Sequence, residues 1–216
     1  MPPLKYNYKK MKALKSTTSG TTCLADNADG ACDTLTGVNV VTNTFLGKVM
    51  VVGLYVNAAA AKTKLSKYKN LPGSKVYSDQ LKNDLIAGDL ELSLEWDFVL
   101  SNFSPVPTSI MADHFQGNLK PYLQKYKLGK DEITSLLNLY IKRCFDVANI
   151  NPKDVARFTW NVKEKALSCN YNGGKYTSIS ADTQGVDFLA KAIFEFTLDY
   201  NKNYVVDLLP HLWSWN

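Results

Sequence analysis

The sequence has few arginines and histidines and no long apolar run. Lysine and arginine together number 25 of 216 residues, but only Arg143 and Arg157 are arginines. Because arginine forms the forked contacts with phosphates and bases, its scarcity argues against nucleic-acid binding. The most apolar stretch, 49–61, is well short of the roughly 20 residues that a membrane-crossing helix needs. We therefore expect no integral membrane association.

Motifs for metal ions, nucleotides and secretion are also missing. The cysteines and the two histidines show neither C-x-x-C spacing nor close pairing. Gly173-Gly174 falls in a predicted hairpin and does not open a helix, as a phosphate-binding loop must. We expect no metal and no cofactor. An apolar signal-peptide segment is absent near Met1, which favours a cytoplasmic protein with reduced thiols; a Cys23–Cys32 disulfide would fit only a secreted protein.

The net charge of +5 is concentrated at the N-terminus. Five lysines in the first fifteen positions precede the first acidic residue, Asp26, and the remaining basic residues equal the acidic ones in number. Residues 1–33 are otherwise polar and contain no apolar periodicity. We interpret them as a basic, mobile arm and residues 34–216 as one domain. The sequence leaves the oligomeric state open.

Alternating and helical periods predict an α+β fold. Residues 37–57 suit two strands with a turn near 43–47, and Leu90 to Phe98 alternate strictly between apolar and acidic or small polar residues. The alternation predicts one buried face and one solvated face, with Glu95 on the solvated side. Amphipathic helices are predicted over 105–127 and 131–147. Further predicted elements are short helices at 58–65 and 79–86, strands at 158–162, 166–171 and 175–180, a helix at 184–200 and an apolar segment at 205–213.

Two polar residues on the 105–127 helix are candidates for chemistry. His211, near the chain end, suits a packing or surface role, which leaves His114 as the better histidine. Asn118 stands one helical turn after His114, so both side chains can reach one ligand. The same spacing also fits a polar helix face beside the buried Met111 and Phe115 stripe.

Two segments resemble the chalcone isomerase family. The first is Gly37-Val38 followed by Phe45 to Val56, similar to the family's strand pair ending in an apolar Gly-x-Tyr-Leu/Val. The second runs from Phe194 to Tyr200 and on through Val205 to Leu208, similar to its final helix and the Asp-Leu segment that follows. The order of the elements between them also agrees. The resemblance implies an antiparallel sheet layered with helices, with a ligand cleft between the layers.

Several positions that contact ligand in the family differ in this sequence. An ungapped match from Tyr55 puts Val38 where the family has an arginine and Met50 where it has a threonine. The final helix retains the threonine as Thr197, and Leu198 stands where the family has Met or Ser. The resemblance thus implies ligand contacts at Val38, Met50 and Leu198 in a cleft more apolar than that of flavanone-forming relatives.

Three functions remain open from the sequence. In the first, the cleft holds an elongated, mainly apolar small molecule and cyclises or isomerises it, a polyketide-like compound other than a plant chalcone, with Thr197, His114 and Asn118 as donors or proton carriers. In the second, the same cleft binds a fatty acid or similar lipid without catalysis. In the third, the chain is a structural or interaction module, since one fold can host unrelated functions.

Overall fold

The structure is a computed structural model that describes residues 33–43, 47–68, 79–87, 90–100, 104–161, 165–174 and 177–199. Of residues 33–48 it describes the backbone alone. The predicted arm up to residue 32, with Cys23 and Cys32, lies outside these ranges. The apolar segment 205–213, with His211, does so too.

Six antiparallel strands of the described part of the chain form the main sheet. In spatial order they are β1 (Asp33–Asn43), β2 (Gly47–Asn57), β3 (Leu92–Phe98), β6 (Val155–Asn161), β7 (Ala166–Tyr171) and β8 (Thr177–Ile179). The short strands β4 (Val106–Pro107) and β5 (Asn149–Ile150) pair with each other apart from this sheet. Neighbouring strands are all antiparallel, which agrees with the α+β prediction.

Within the described ranges, five α-helices accompany the sheet: α1 (Ala58–Lys64), α2 (Asp79–Ile86), α3 (Thr108–Gln124), α4 (Lys130–Cys144) and α5 (Val186–Asp199). A 3₁₀ turn, Ser66–Tyr68, follows α1. The Asn57 side chain accepts a hydrogen bond from the Ala60 amide at 3.1 Å and so caps α1. Before α4, the Glu132 carboxylate accepts from the Gly129 amide at 2.7 Å. These local contacts fix where the two helices begin.

One aromatic cluster joins the sheet to the helices. The Trp96 ring of β3 lies 4.5 Å from Phe158 of β6 and 5.1 Å from Phe115 of α3, measured between centroids. Phe145, directly after α4, lies 5.4 Å from Phe115, and Tyr140 of α4 lies 5.7 Å from Phe145. All five side chains are buried. Offset and tilted aromatic contacts at these separations add specific geometry to the burial energy.

The second face of β3 is buried, so the predicted solvated position of Glu95 is wrong. Glu95 is 5% exposed, and its carboxylate accepts from Nε of Arg157 at 2.5 Å and from the Tyr55 hydroxyl at 3.5 Å. Ser93, fully buried, shares a 3.0 Å hydrogen bond with Thr159. Cross-strand partners satisfy these buried polar groups. The alternation distinguished the apolar face of β3 from the polar face, but it did not show that both faces are buried.

A disulfide links Cys144 at the end of α4 to Cys169 of β7, where the sequence favoured reduced thiols. Their Cα atoms are 5.3 Å apart because the last turn of α4 lies on the sheet at β7. The Thr177 hydroxyl donates to the Arg143 carbonyl at 2.7 Å and attaches the same helix end to β8. No helix among the described residues is both long and apolar enough to cross a membrane.

Most predicted elements appear with shifted ends. The 105–127 helix begins at Thr108, since the proline at 107 forces Val106 into an extended conformation. The predicted hairpin after β7 is confirmed: Asn172 and Gly173 have φ values of 51° and 71°, which glycine and asparagine tolerate best.

The buried hydroxyl of Tyr140 generates a stability prediction. It has no hydrogen-bond partner among the residues described above, whereas the Tyr171 hydroxyl donates to Asp154 at 2.7 Å. Removing an unpaired buried group relieves its desolvation cost, so Tyr140→Phe should raise the free energy of unfolding by about 1 kcal/mol. The matched Tyr171→Phe should lower it by about 1 kcal/mol. Urea denaturation measures both, and a destabilised Tyr140→Phe would contradict the prediction.

Candidate functional site

A depression of about 440 Å³ lies between α3 and α5. Small-molecule sites commonly fall in this size range. Its described lining combines apolar groups, an amide and charged groups: Gly117, Asn118, Pro121, Tyr122, Lys125, Phe196 and Asp199. The Tyr122 and Phe196 rings meet edge to face, with centroids 6.2 Å apart. The site therefore offers an apolar wall beside a polar end.

Lys125 in the lining and Lys82 behind it, which contacts the lining residue Asp199, are each paired with a carboxylate. Lys125 Nζ lies 2.6 Å from Glu195 Oε1, and Lys82 Nζ of α2 donates to both oxygens of Asp199 at 3.0 and 3.2 Å. Lys82 also lies 3.7 Å from Glu195. Lys125 additionally sits 4.5 Å from the centroid of the Tyr122 ring, a favourable cation–π separation. The four charges compensate one another, so this end of the depression carries no surplus cation from them.

Burial and the nearby carboxylates shift the pKa values at this site. Burial, followed by the charges of Asp199 and Glu195, raises the pKa of Tyr122 to about 12. Tyr126 behaves likewise: burial and the Glu195 charge raise its pKa to about 12. Burial alone would lower the pKa of Lys82, but its hydrogen bond to Asp199 and the carboxylate charges outweigh that effect and raise it. At neutral pH the tyrosines are therefore neutral hydrogen-bond donors, and Lys82 is charged.

His114 and Asn118 both lie on α3, half-buried, and of the two only Asn118 lines the depression among the described residues. The Asn118 side-chain amide donates to the His114 carbonyl at 2.9 Å. One of the two hydrogens of that amide is therefore used within the helix itself. Burial lowers the pKa of His114, which favours the neutral imidazole.

Thr197 and Leu198 lie on α5 and are buried. The Thr197 hydroxyl donates to the Ile193 carbonyl at 2.8 Å, which uses its proton within the helix. Neither residue belongs to the described lining of the depression. Met50 lies in β2 opposite Phe98 and is buried in the core between sheet and helices. Val38 lies in β1 opposite Gly53, and its side chain is outside the described part of the chain.

The sequence reasoning missed most of the lining, although a signal was present. Gly117 and Pro121 both stand inside α3, where each costs helix stability relative to alanine. Their four-residue spacing puts them on one face, and Pro121 leaves the Gly117 carbonyl without its usual amide donor. A Cβ added at Gly117 would meet no atom within 4 Å. Both residues are exposed and line the depression, so two helix-weakening residues on one face are the local signal that the sequence contained.

The shifted pKa values predict weaker folding at high pH. Unfolded Tyr122 and Tyr126 lose their protons near pH 10, whereas the folded chain holds them to about pH 12. The native state then binds more protons than the unfolded state, so the free energy of unfolding falls as the pH rises from about 10 to 12. Lys82, with its pKa raised, adds to the same trend. In urea denaturation across this window, Tyr122→Phe should lose less stability than the wild type, and an equal loss would contradict the assignment.

Comparison with known proteins identifies the fold. No model of a protein family matches the sequence, and no curated protein does so. The structure is similar to the crystal structure of a fatty-acid binding protein from Arabidopsis thaliana, with a TM-score of 0.66 and 20% sequence identity over 84% of this chain and 89% of that one. That neighbour has the chalcone-isomerase-like fold. The expected architecture is confirmed: the chain is an α+β protein with a chalcone-isomerase-like fold, an antiparallel sheet layered with helices.

Proposed function

We propose that the chain binds an elongated, uncharged, lipid-like molecule in the depression between α3 and α5 and performs no reaction on it. The observation that carries this proposal is the pairing of an apolar wall, Tyr122 and Phe196, with a polar end whose charges are mutually compensated. An acyl or alkyl chain suits the wall. A neutral ester, alcohol or amide suits the polar end, because the compensated lysines have no excess charge to offer a carboxylate.

The similarity to a fatty-acid binding protein supports a lipid-like ligand, since the two chains share the fold that forms the helix layer. Binding without catalysis is supported by the donors. The Thr197 hydroxyl and the Asn118 amide each donate to a carbonyl of their own helix, and they do not line one common cavity among the described residues. General acid–base catalysis requires such groups within hydrogen-bonding reach of one reacting atom.

Ligand competition tests the proposal directly. Decanoic acid and its methyl ester displace a neutral hydrophobic fluorophore, and we expect the ester to bind at least about tenfold more tightly, a difference of about 1.4 kcal/mol. Gly117→Trp places an indole in the open space of the depression and should weaken both ligands more than about tenfold.

Two further variants complete the test: one is a control and the other tests a second location for the ligand. Ser135→Trp adds the same group at an exposed position of α4 and should bind both ligands like the wild type. Unimpaired binding by Gly117→Trp would place the ligand elsewhere, and a preference for the acid would refute the uncharged class. Thr197→Val tests the cleft that the family resemblance implies. Weaker binding by that variant would indicate that the ligand binds at the face of α5 that packs on the core, and it would contradict binding in the depression.

The absence of catalysis is tested with a hydroxychalcone. We expect no flavanone formation above the uncatalysed rate, because the family's arginine position holds Val38 and one electrostatic donor is typically worth about 10² to 10³ in rate. Absorbance at the chalcone band measures the reaction. Rapid cyclisation would favour the isomerase alternative, and His114→Gln would then show whether the histidine takes part.

A further inference from the structure

We infer that Glu195 is the residue that sets ligand specificity at the depression, by cancelling the charge of Lys125 and thereby excluding carboxylates. This inference rests on the proposed function. The two side chains are 70 positions apart in sequence and meet at 2.6 Å between Lys125 Nζ and Glu195 Oε1. Lys125 lines the depression, whereas Glu195 is not part of its described lining.

Lys125 and Glu195 differ in solvent exposure and therefore in their proposed roles. Lys125 is 54% exposed, so a ligand entering the depression can reach its ammonium group. Glu195 is 9% exposed and cannot swing into solvent, so its charge stays beside Lys125. A carboxylate brought to Lys125 must compete with a carboxylate already held there, and two anions at one cation repel each other.

The other ion pairs recorded around Glu195 in the described ranges leave this balance unchanged. Lys82, 3.7 Å from Glu195, is itself held by both oxygens of Asp199. Asp79, the other acid near Lys82, lies 3.8 Å from it with a side chain that is 89% exposed. Removing the charge of Glu195 would therefore leave Lys125 without the one carboxylate that it contacts in the described part of the chain. The same site would then accept a fatty acid.

Two substitutions with opposite expected effects test the inference, with decanoic acid and its methyl ester as probes. Glu195→Gln keeps the side-chain shape and should lower the ratio of the Kd for the acid to the Kd for the ester at least about tenfold, by tightening acid binding. Lys125→Gln changes a half-exposed side chain and should raise that ratio, because Glu195 then faces the ligand with less compensation. The double variant should return the ratio towards that of the wild type.

Asp131→Asn is the matched control. It removes one negative charge at an exposed position in the first turn of α4 and should leave the ratio unchanged, which separates a local effect from one of net charge. Unchanged ratios in Glu195→Gln and Lys125→Gln, with ester binding retained, would overturn this inference and leave the proposed function standing. Failure of the wild type to bind the ester would overturn the proposed function and the inference with it.

Discussion

The contact of Trp96 with the helix layer is the interaction on which the arrangement depends. Its indole, fully buried on the central strand β3, packs against Phe158 on the neighbouring strand and against Phe115 of α3. Phe145, just after α4, lies 6.3 Å from the same indole. One side chain therefore fixes two helices relative to the sheet. Since packed interiors have little free volume, the position of α3 also determines how closely α5 can approach it, and the depression lies between these two helices.

Charged groups near the depression occupy positions where isolated charges would be costly. Glu195 and Lys82 are about nine-tenths buried, and a buried charge without a partner costs several kcal/mol in effective terms. The ion pairs with Lys125 and Asp199 remove that cost. They also leave no net charge from these four groups to attract an ionic ligand. The packing that makes these charges tolerable is thus also the basis of the proposed preference for a neutral ligand.

The requirements of the core explain how the chain can share its fold with the Arabidopsis protein at only 20% sequence identity. A layer of helices on an antiparallel sheet needs apolar residues of suitable volume at the interface, and many combinations satisfy that requirement. Ligand chemistry depends on a few polar side chains, which change without disturbing the core. The sequence match predicts such a change at Val38 and Met50, which it aligns with polar residues of the chalcone isomerase family.

The helices and strands could be predicted from the sequence, because the signals for them are local. Alternation along β3, the apolar stripe of Met111, Phe115 and Leu119, and the Asn172-Gly173 turn each depend on residues close together in the chain. Which polar groups meet depends on the packing of elements that are distant in the chain. Lys82 and Asp199 are 117 positions apart, and Glu95 finds Arg157 across a strand pair 62 positions distant. Side-chain periodicity specifies which face of an element is apolar, but it contains no information on which element packs beside it. The ion pairs, the covered second face of the sheet and the depression between α3 and α5 therefore followed only from the packing.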